Sequence, residues 1–254
     1  TPAVCDEELK ALCPDLAKRL GKKIVPANDV AGFVGNGHFT RDGLHAGAEV
    51  ARLAPEFGLA GAVYLVDKVS RDYLLRPMGI FQLIDYVGLD VFQAILRVTD
   101  QYMPGQNLHS DLVDRFMAAG IRGGQTSSGA QKDGIFQYDK GRLVAVYDLD
   151  QGQYVPFGDW SKALDGRLGA HPAPDLSWKG LQRDPAKEAK LRAYFANWKG
   201  ASMMGVDLAE RFFLASRAAG EHLVATGVAS SAADVNNIMM LGFFHLYGPI
   251  NDYV

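Results

Sequence analysis

The chain has 254 residues, 48% apolar and 22% charged, with a formal net charge of -3. These are the proportions of an ordinary globular protein with a sizeable core, in one large domain or two small ones. They give no electrostatic case for nucleic acid or an anionic membrane as a partner, and no apolar run approaches the roughly 18 residues of a membrane span.

The two cysteines, Cys5 and Cys13, are eight apart. On one helix they lie about two turns apart, too far for a disulfide. A reducing compartment follows as the expectation, and the cytoplasm is the simplest one. No signal or transit peptide is visible. The chain opens on Thr1, so a processed or cut polypeptide is expected.

Leu9, Leu12, Leu16 and Leu20 recur at helical spacing over residues 6–20. Acidic Asp6, Glu7 and Glu8 begin that helix and Lys18 and Arg19 end it, as the helix dipole favours. Lys23-Ile-Val-Pro26 reads as a short strand. One helix and one strand make no core, so residues 1–30 read as the last piece of an α/β sheet.

Residues 38–120 read as mostly helical, in segments near 39–56, 60–75, 79–86, 89–103 and 109–119. Val91, Ile95, Leu96 and Val98 give the fourth an apolar face, and Asn107-Leu-His-Ser-Asp111 offers caps to the fifth. A Gly/Ser loop spans 121–134. Ile135–Tyr138 and Leu143–Tyr147 then flank Asp139-Lys-Gly-Arg142, a hairpin with Gly141 at the left-handed turn position. Residues 150–184, rich in Pro, Gly and Asp, read as a long surface connection. Helices resume near 185–198, 203–226 and 231–241.

The ending Leu246-Tyr-Gly-Pro-Ile-Asn-Asp252 echoes Pro77-Met-Gly-Ile80 and Ile84-Asp-Tyr-Val87. An internal duplication of one helical unit is expected. The domain reading is therefore 1–30, an α/β tail; 31–150, a first helical copy; 151–184, a linker; and 185–254, a second, degenerate copy.

Four segments in order carry a family resemblance: Leu20-Gly-Lys-Lys-Ile-Val-Pro26, Asp29-Val-Ala-Gly-Phe-Val-Gly-Asn36, Pro77-Met-Gly-Ile-Phe-Gln-Leu-Ile-Asp-Tyr-Val-Gly-Leu-Asp90, and Gly120-Ile-Arg-Gly123 with Lys132-Asp-Gly-Ile-Phe-Gln-Tyr138. Glu210 to Asn236 loosely resembles a second copy. The chain resembles the C-terminal domain of NAD-dependent (S)-3-hydroxyacyl-CoA dehydrogenases. The resemblance implies a mainly α-helical fold of two such units, with one β-hairpin and a short α/β remnant at the N-terminus. It also implies that NAD is bound by the family's N-terminal domain on the same polypeptide, not by this chain alone, which is expected to be inactive by itself. The implied chemistry is oxidation of a 3-hydroxyacyl-CoA substrate to 3-oxoacyl-CoA, as in fatty-acid β-oxidation. A homodimer or an internal pseudo-dimer is implied as well.

The resemblance places Asn36 near the substrate's C3 oxygen, with Phe33 and Met78 beside the substrate. An amide donates a hydrogen bond to a carbonyl without changing its charge. From the residues alone, Asn36 is equally the cap of a helix starting near His38, and the two roles can coexist. Where the family has Arg after this Asn, the chain has Gly37, which loses a charge contact and loosens the backbone. The family's catalytic His motif does not occur in the chain. Gly35 and Gly37 give a Gly-x-Gly, but Thr40 stands at the third glycine position, so no cofactor-binding residue is assigned.

The remaining candidates read as structural. His38 and His45 are seven apart without a third ligand, and no metal site is assigned. Ser127-Ser128-Gly129 is a loop. Asp85 and Asp90 suit capping or turns. Met239, Met240, Phe243 and Phe244 read as core or subunit interface. Glu210 and Arg211 fall where the second copy would carry Asn-Arg, and that copy is expected to make no catalytic contact. Two rival readings stand beside the dehydrogenase: a non-catalytic helical assembly module, and a dehydrogenase for a 3-hydroxyacyl-CoA from aromatic degradation.

Overall fold

The computed structural model describes residues 6–103 and 105–254, which leaves Cys5 outside. Helix α1 (Glu7–Arg19) opens on Asp6, whose carboxylate accepts the main-chain N–H groups of Glu8 and Leu9. The expected helix forms, but its leucines are all more than half exposed and it buries no residue. The strand expected at Lys23–Pro26 does not form. A strand needs a neighbour to take its hydrogen bonds, and the described residues offer none there. The segment is tied to the C-terminal half instead: Asn28 N donates to Val228 O at 3.3 Å, and Lys23 Nζ to Asn237 Oδ1 at 3.2 Å.

Helix α2 (Phe33–Asp72) runs 40 residues and is broken once, at Gly58 (φ 70°, ψ 164°). The gap expected between residues 56 and 60 is this kink. Only glycine adopts that backbone conformation without strain. The start lies earlier than expected, at Phe33, because Gly32 in the left-handed conformation turns the chain into the helix.

After α2 come α3 (Ile80–Val87), α4 (Leu89–Tyr102) and α5 (Asp111–Ala118), the last capped by Ser110 Oγ accepting from Val113 N. The expected inner face of α4 is corrected. Phe92, Leu96 and Thr99 are buried, whereas Val91 and Val98 are about half exposed. Both stripes follow helical spacing, one residue out of phase, so periodicity alone cannot choose between them.

The hairpin β1 (Phe136–Asp139) and β2 (Arg142–Asp148) turns at Gly141 (φ 77°) as expected. A third strand, β3 (Gln153–Pro156), adds antiparallel to β2, with Val146 opposite Val155. Then follow α6 (Asp159–Leu168) and α7 (Trp178–Leu181), with Leu168 and Leu181 buried. The stretch expected as a surface connection therefore carries three elements and contributes to the core.

Helices α8 (Lys187–Ala196), α9 (Met204–Ala225) and α10 (Ala232–Gly242) complete the chain. The molecule is mainly helical, with one small sheet in the order β1-β2-β3. Its centre is the pair α2 and α9. Gly37 meets Leu223, Asp42 meets Ser216, Glu49 meets Arg211 and Tyr73 meets Gly205, so the two run antiparallel. Glycine at 37 permits this approach, since a Cβ there would lie 3.0 Å from Leu223. The backbone freedom expected at Gly37 is thus not its role. Apolar side chains from Phe39 to Tyr247 form one core drawn from both halves.

The expected repeat has one local parallel. Asp67 Oδ1 accepts from Phe81 N, and Asn236 Oδ1 accepts from Ile250 N, each fourteen residues on. In both cases a glycine twelve residues on, Gly79 or Gly248, lies against that side chain with no room for a Cβ. Beyond that point the halves differ: α3 follows Gly79, and no helix follows Gly248.

Candidate functional site

Two surfaces carry chemistry, and they share no lining residue. The first lies at the start of α2. Gly32 and Phe33 both take positive φ there (83° and 45°), which holds the Phe33 ring outward, about half exposed. Asn36 lies in the first turn, its main-chain oxygen accepting from Thr40 Oγ1 at 2.8 Å. Its side chain is exposed and bonded to no described residue. The cap of α2 is Gly32, so the reading of Asn36 as a helix cap is overturned. Phe33, Asn36 and the outer stripe of α4 (Val91, Ile95, Val98) line an open depression of about 530 Å³.

Met78 is elsewhere. After α2, Leu75 in the left-handed conformation (φ 51°) ends the helix, and Pro77 keeps Arg76 out of it. The turn directs Arg76 back against α2. There Arg76 Nη1 donates to Asp42 Oδ2 at 2.9 Å and Nη2 to Ser216 Oγ at 2.9 Å. Ser216 Oγ donates to the same Asp42 oxygen at 3.3 Å. His38, fully buried, approaches Ser216 O at 2.9 Å through Nε2. A carbonyl only accepts, so Nε2 carries the proton and Nδ1 is left as a bare acceptor. Burial is the main reason the His38 pKa lies below that of free histidine, against the opposing pull of Asp42.

Above this cluster opens a pocket of about 290 Å³. Asp42 and Arg76 form its polar floor, Phe39, Met78, Ile80 and Met239 are among its apolar walls, and Tyr86 and Phe244 stand exposed at its rim. Met239 is buried and Phe243 packs against the core, as expected, and both also line this pocket with the exposed Phe244, while Met240 lines a separate one. The structure brings Phe33 and Asn36 together but places Met78 in this second pocket.

Sequence reasoning missed the buried carboxylates Asp42, Glu49 and Asp67, and read Asp85 only as a capping or turn residue. Asp67 accepts from Phe81 N and Gln82 N, both at 2.9 Å, and so closes the first turn of α3 from outside that helix. Asp85 accepts from Ile135 N at 2.6 Å, Phe136 N at 2.8 Å and Tyr138 Oη at 3.0 Å, holding β1 to α3. Burial outweighs these hydrogen bonds and pushes Asp67 up to about 6 and Asp85 to about 8. The available signal for both was an aspartate on an otherwise apolar helix face. Glu210 is exposed, and Arg211 donates to the buried Glu49 at 2.6 Å, an ion pair between helices.

Among the described residues no three His, Cys, Asp or Glu side chains are grouped to hold a metal, and no helix is long and apolar enough to cross a membrane. Gly35-x-Gly37 lies inside α2, packed under Phe243 and Leu223 rather than in a strand-to-helix loop. These residues do not fit a dinucleotide.

Comparison with known proteins bears on residues that include Asp67, Met78 and Asp85. Residues 48–133 match the 3-hydroxyacyl-CoA dehydrogenase C-terminal domain. The dehydrogenase match begins after Phe33 and Asn36. The crystal structure of 3-hydroxybutyryl-CoA dehydrogenase from Escherichia coli K12 superposes over 98% of this chain with a TM-score of 0.55 and 19% identity. At that identity the likeness is one of fold. A protein of Rickettsia conorii with no characterised function is 32% identical over 113 residues, 44% of this chain. The matched regions cover 66% of the Rickettsia protein and 57% of the Escherichia coli chain.

Proposed function

We propose that this chain is the C-terminal, substrate-facing part of an NAD-dependent 3-hydroxyacyl-CoA dehydrogenase. The observation that carries the reading is Asn36: an exposed amide, bonded to no described side chain, beside Phe33 and an apolar stripe of α4 that the core leaves uncovered. An amide N–H there can donate to the C3 oxygen of a 3-hydroxyacyl or 3-oxoacyl thioester, while Phe33, Val91 and Val98 cover its carbon chain. The dehydrogenase match at residues 48–133 supports the same reading. The chain's own residues do not fit NAD, so its part is to bind and orient the acyl group. Hydride transfer and the acid–base step belong to a cofactor domain of the same polypeptide. Fatty-acid β-oxidation is the setting we favour, with 3-hydroxyacyl thioesters from aromatic degradation as a related one.

The test is titration of this chain with acetoacetyl-CoA by calorimetry, followed by NADH oxidation with the cofactor domain joined upstream. Asn36→Ala is expected to weaken binding roughly tenfold, the worth of one well-made hydrogen bond. Unchanged binding in Asn36→Ala together with tight self-association would favour the assembly module, for which the exposed leucines of α1 are the supporting feature.

A further inference from the structure

The depression beside Asn36 has a length and a direction, and both bear on the substrate. On α4, Val91, Ile95, Val98 and Tyr102 are spaced four, three and four residues apart, so they form one stripe along the helix. Val91, Val98 and Tyr102 are 45%, 50% and 71% exposed. The packing of α2 sets the level at which Asn36 meets this stripe. A Cβ on Gly32 would lie 3.1 Å from Thr99 Oγ1, and one on Gly43 would strike the Phe92 ring. Between these two contacts α2 runs against the direction of α4. Asn36, one turn past Gly32, therefore stands near the level of Ile95, with Phe33 on the Thr99 side of it.

The depression extends further on one side of Asn36 than on the other. Past Ile95 its lining continues through Ala94 and Val91 and stops at Asp90, an exposed carboxylate. The helix rises roughly 7.5 Å from Ile95 to Asp90. An extended hydrocarbon advances about 1.25 Å per carbon, so this length takes about six carbons beyond the C3 oxygen held by Asn36. Asp90 sets the limit, because a tail pressed against it would strip water from a carboxylate.

We infer that the substrate is a medium-chain 3-hydroxyacyl or 3-oxoacyl thioester of about eight to ten carbons, its tail lying along Ile95, Ala94 and Val91 and ending at Asp90. This rests on the reading of Asn36 as the group that meets C3.

The test is calorimetric titration of the full chain with acetoacetyl-CoA and its 3-oxohexanoyl, 3-oxooctanoyl, 3-oxodecanoyl and 3-oxododecanoyl homologues. A methylene half covered by an open surface contributes about twofold in affinity. Affinity is expected to rise roughly tenfold or more from acetoacetyl-CoA to 3-oxooctanoyl-CoA, and to change less than about twofold beyond 3-oxodecanoyl-CoA. Val91→Asn should flatten the rise. Asp90→Leu continues the apolar floor and should carry the rise on to 3-oxododecanoyl-CoA. Asn36→Ala should weaken the whole series by a similar factor. All three positions are exposed, so none of these changes removes core packing. Equal affinity for acetoacetyl-CoA and 3-oxooctanoyl-CoA, both weakened by Asn36→Ala, would overturn the chain-length inference and leave the reading of Asn36 standing. A rise that survives Val91→Asn, or a plateau unmoved by Asp90→Leu, would also overturn it. Binding indifferent to Asn36→Ala, or no binding at all, would remove the reading of Asn36 and this inference with it.

Discussion

Asp85 joins two distant parts of the chain without a cation beside it. Its carboxylate is met by two main-chain N–H groups and a tyrosine hydroxyl, all neutral donors. Burial raises its pKa to about 8, so the folded protein keeps a proton that the unfolded chain releases near pH 4. The folded state binds more protons across that interval, and stability falls as pH rises through it. Asp67, raised to about 6, acts in the same sense over a shorter range. The histidines His38, His45 and His245 act oppositely: their lowered pKa values make stability rise with pH until the free imidazole range near 6.5 is passed. Between pH 6.5 and 8 the Asp85 term stands alone among them. The urea midpoint should fall over that interval, with a loss of unfolding free energy of at most about 2 kcal/mol. In Asp85→Asn the slope should vanish, at a fixed cost of about 1–3 kcal/mol because the new NH2 faces a main-chain donor. A midpoint that stays level from pH 6.5 to 8 in the wild type would exclude the raised pKa. The sequence allowed Asp85 a turn-like duty and no more, because its partners lie fifty residues away in β1. Asn36 was legible as a candidate only through the family resemblance. That it is exposed, and that Met78 is not its neighbour, depends on how α2 packs against the end of α10.

The elements follow local rules wherever those rules are unambiguous. Gly58 breaks α2 where the helical pattern lapses, and Gly141 turns the hairpin. The failures are equally physical. The segment at 23–26 has strand composition and no partner. In α4 two apolar stripes compete, and only tertiary packing selects Phe92, Leu96 and Thr99 for the core. In the 151–184 stretch, Gly and Pro mark the turns, while β3 and α6 between them are too short to show a period. The join between α2 and α3 can be tested at Gly79. A Cβ there would occupy the space of the Asp67 carboxylate that closes the first turn of α3. Gly79→Ala is expected to cost about 2–4 kcal/mol, through overpacking and loss of that buried cap. Gly141→Ala, where a Cβ meets nothing but φ is 77°, should cost about 1 kcal/mol. Thermal denaturation of the two variants ranks them, and a smaller loss for Gly79→Ala would mean that the α2–α3 joint yields easily.

At the scale of the whole molecule, stability resides in the antiparallel pair α2 and α9 and not in the N-terminal helix. Because α1 buries nothing, removal of residues 1–20 should leave the melting temperature within about 1 °C and, by taking away four exposed leucines, lower any self-association seen by sedimentation. A large drop in melting temperature would show that α1 docks on the remainder of the chain. The two halves share one core, yet they are not interchangeable. Asp67 faces the opening turn of a helix, where several N–H groups point outward and a full negative charge meets the positive end of the helix dipole. Asn236 faces a length of chain that goes on without a helix, and there it both accepts from Ile250 N and donates to Ile250 O. One atom of difference, oxygen against nitrogen, matches each side chain to the backbone it must hold. An Asn at 67 could keep both bonds on its oxygen but would lose the charge that faces the helix N-terminus, whereas an Asp at 236 would set a charge against a carbonyl. Whatever ancestry the halves have, each is now fitted to its own ending, and a chain with those two residues exchanged should weaken both joints, the one at 236 more.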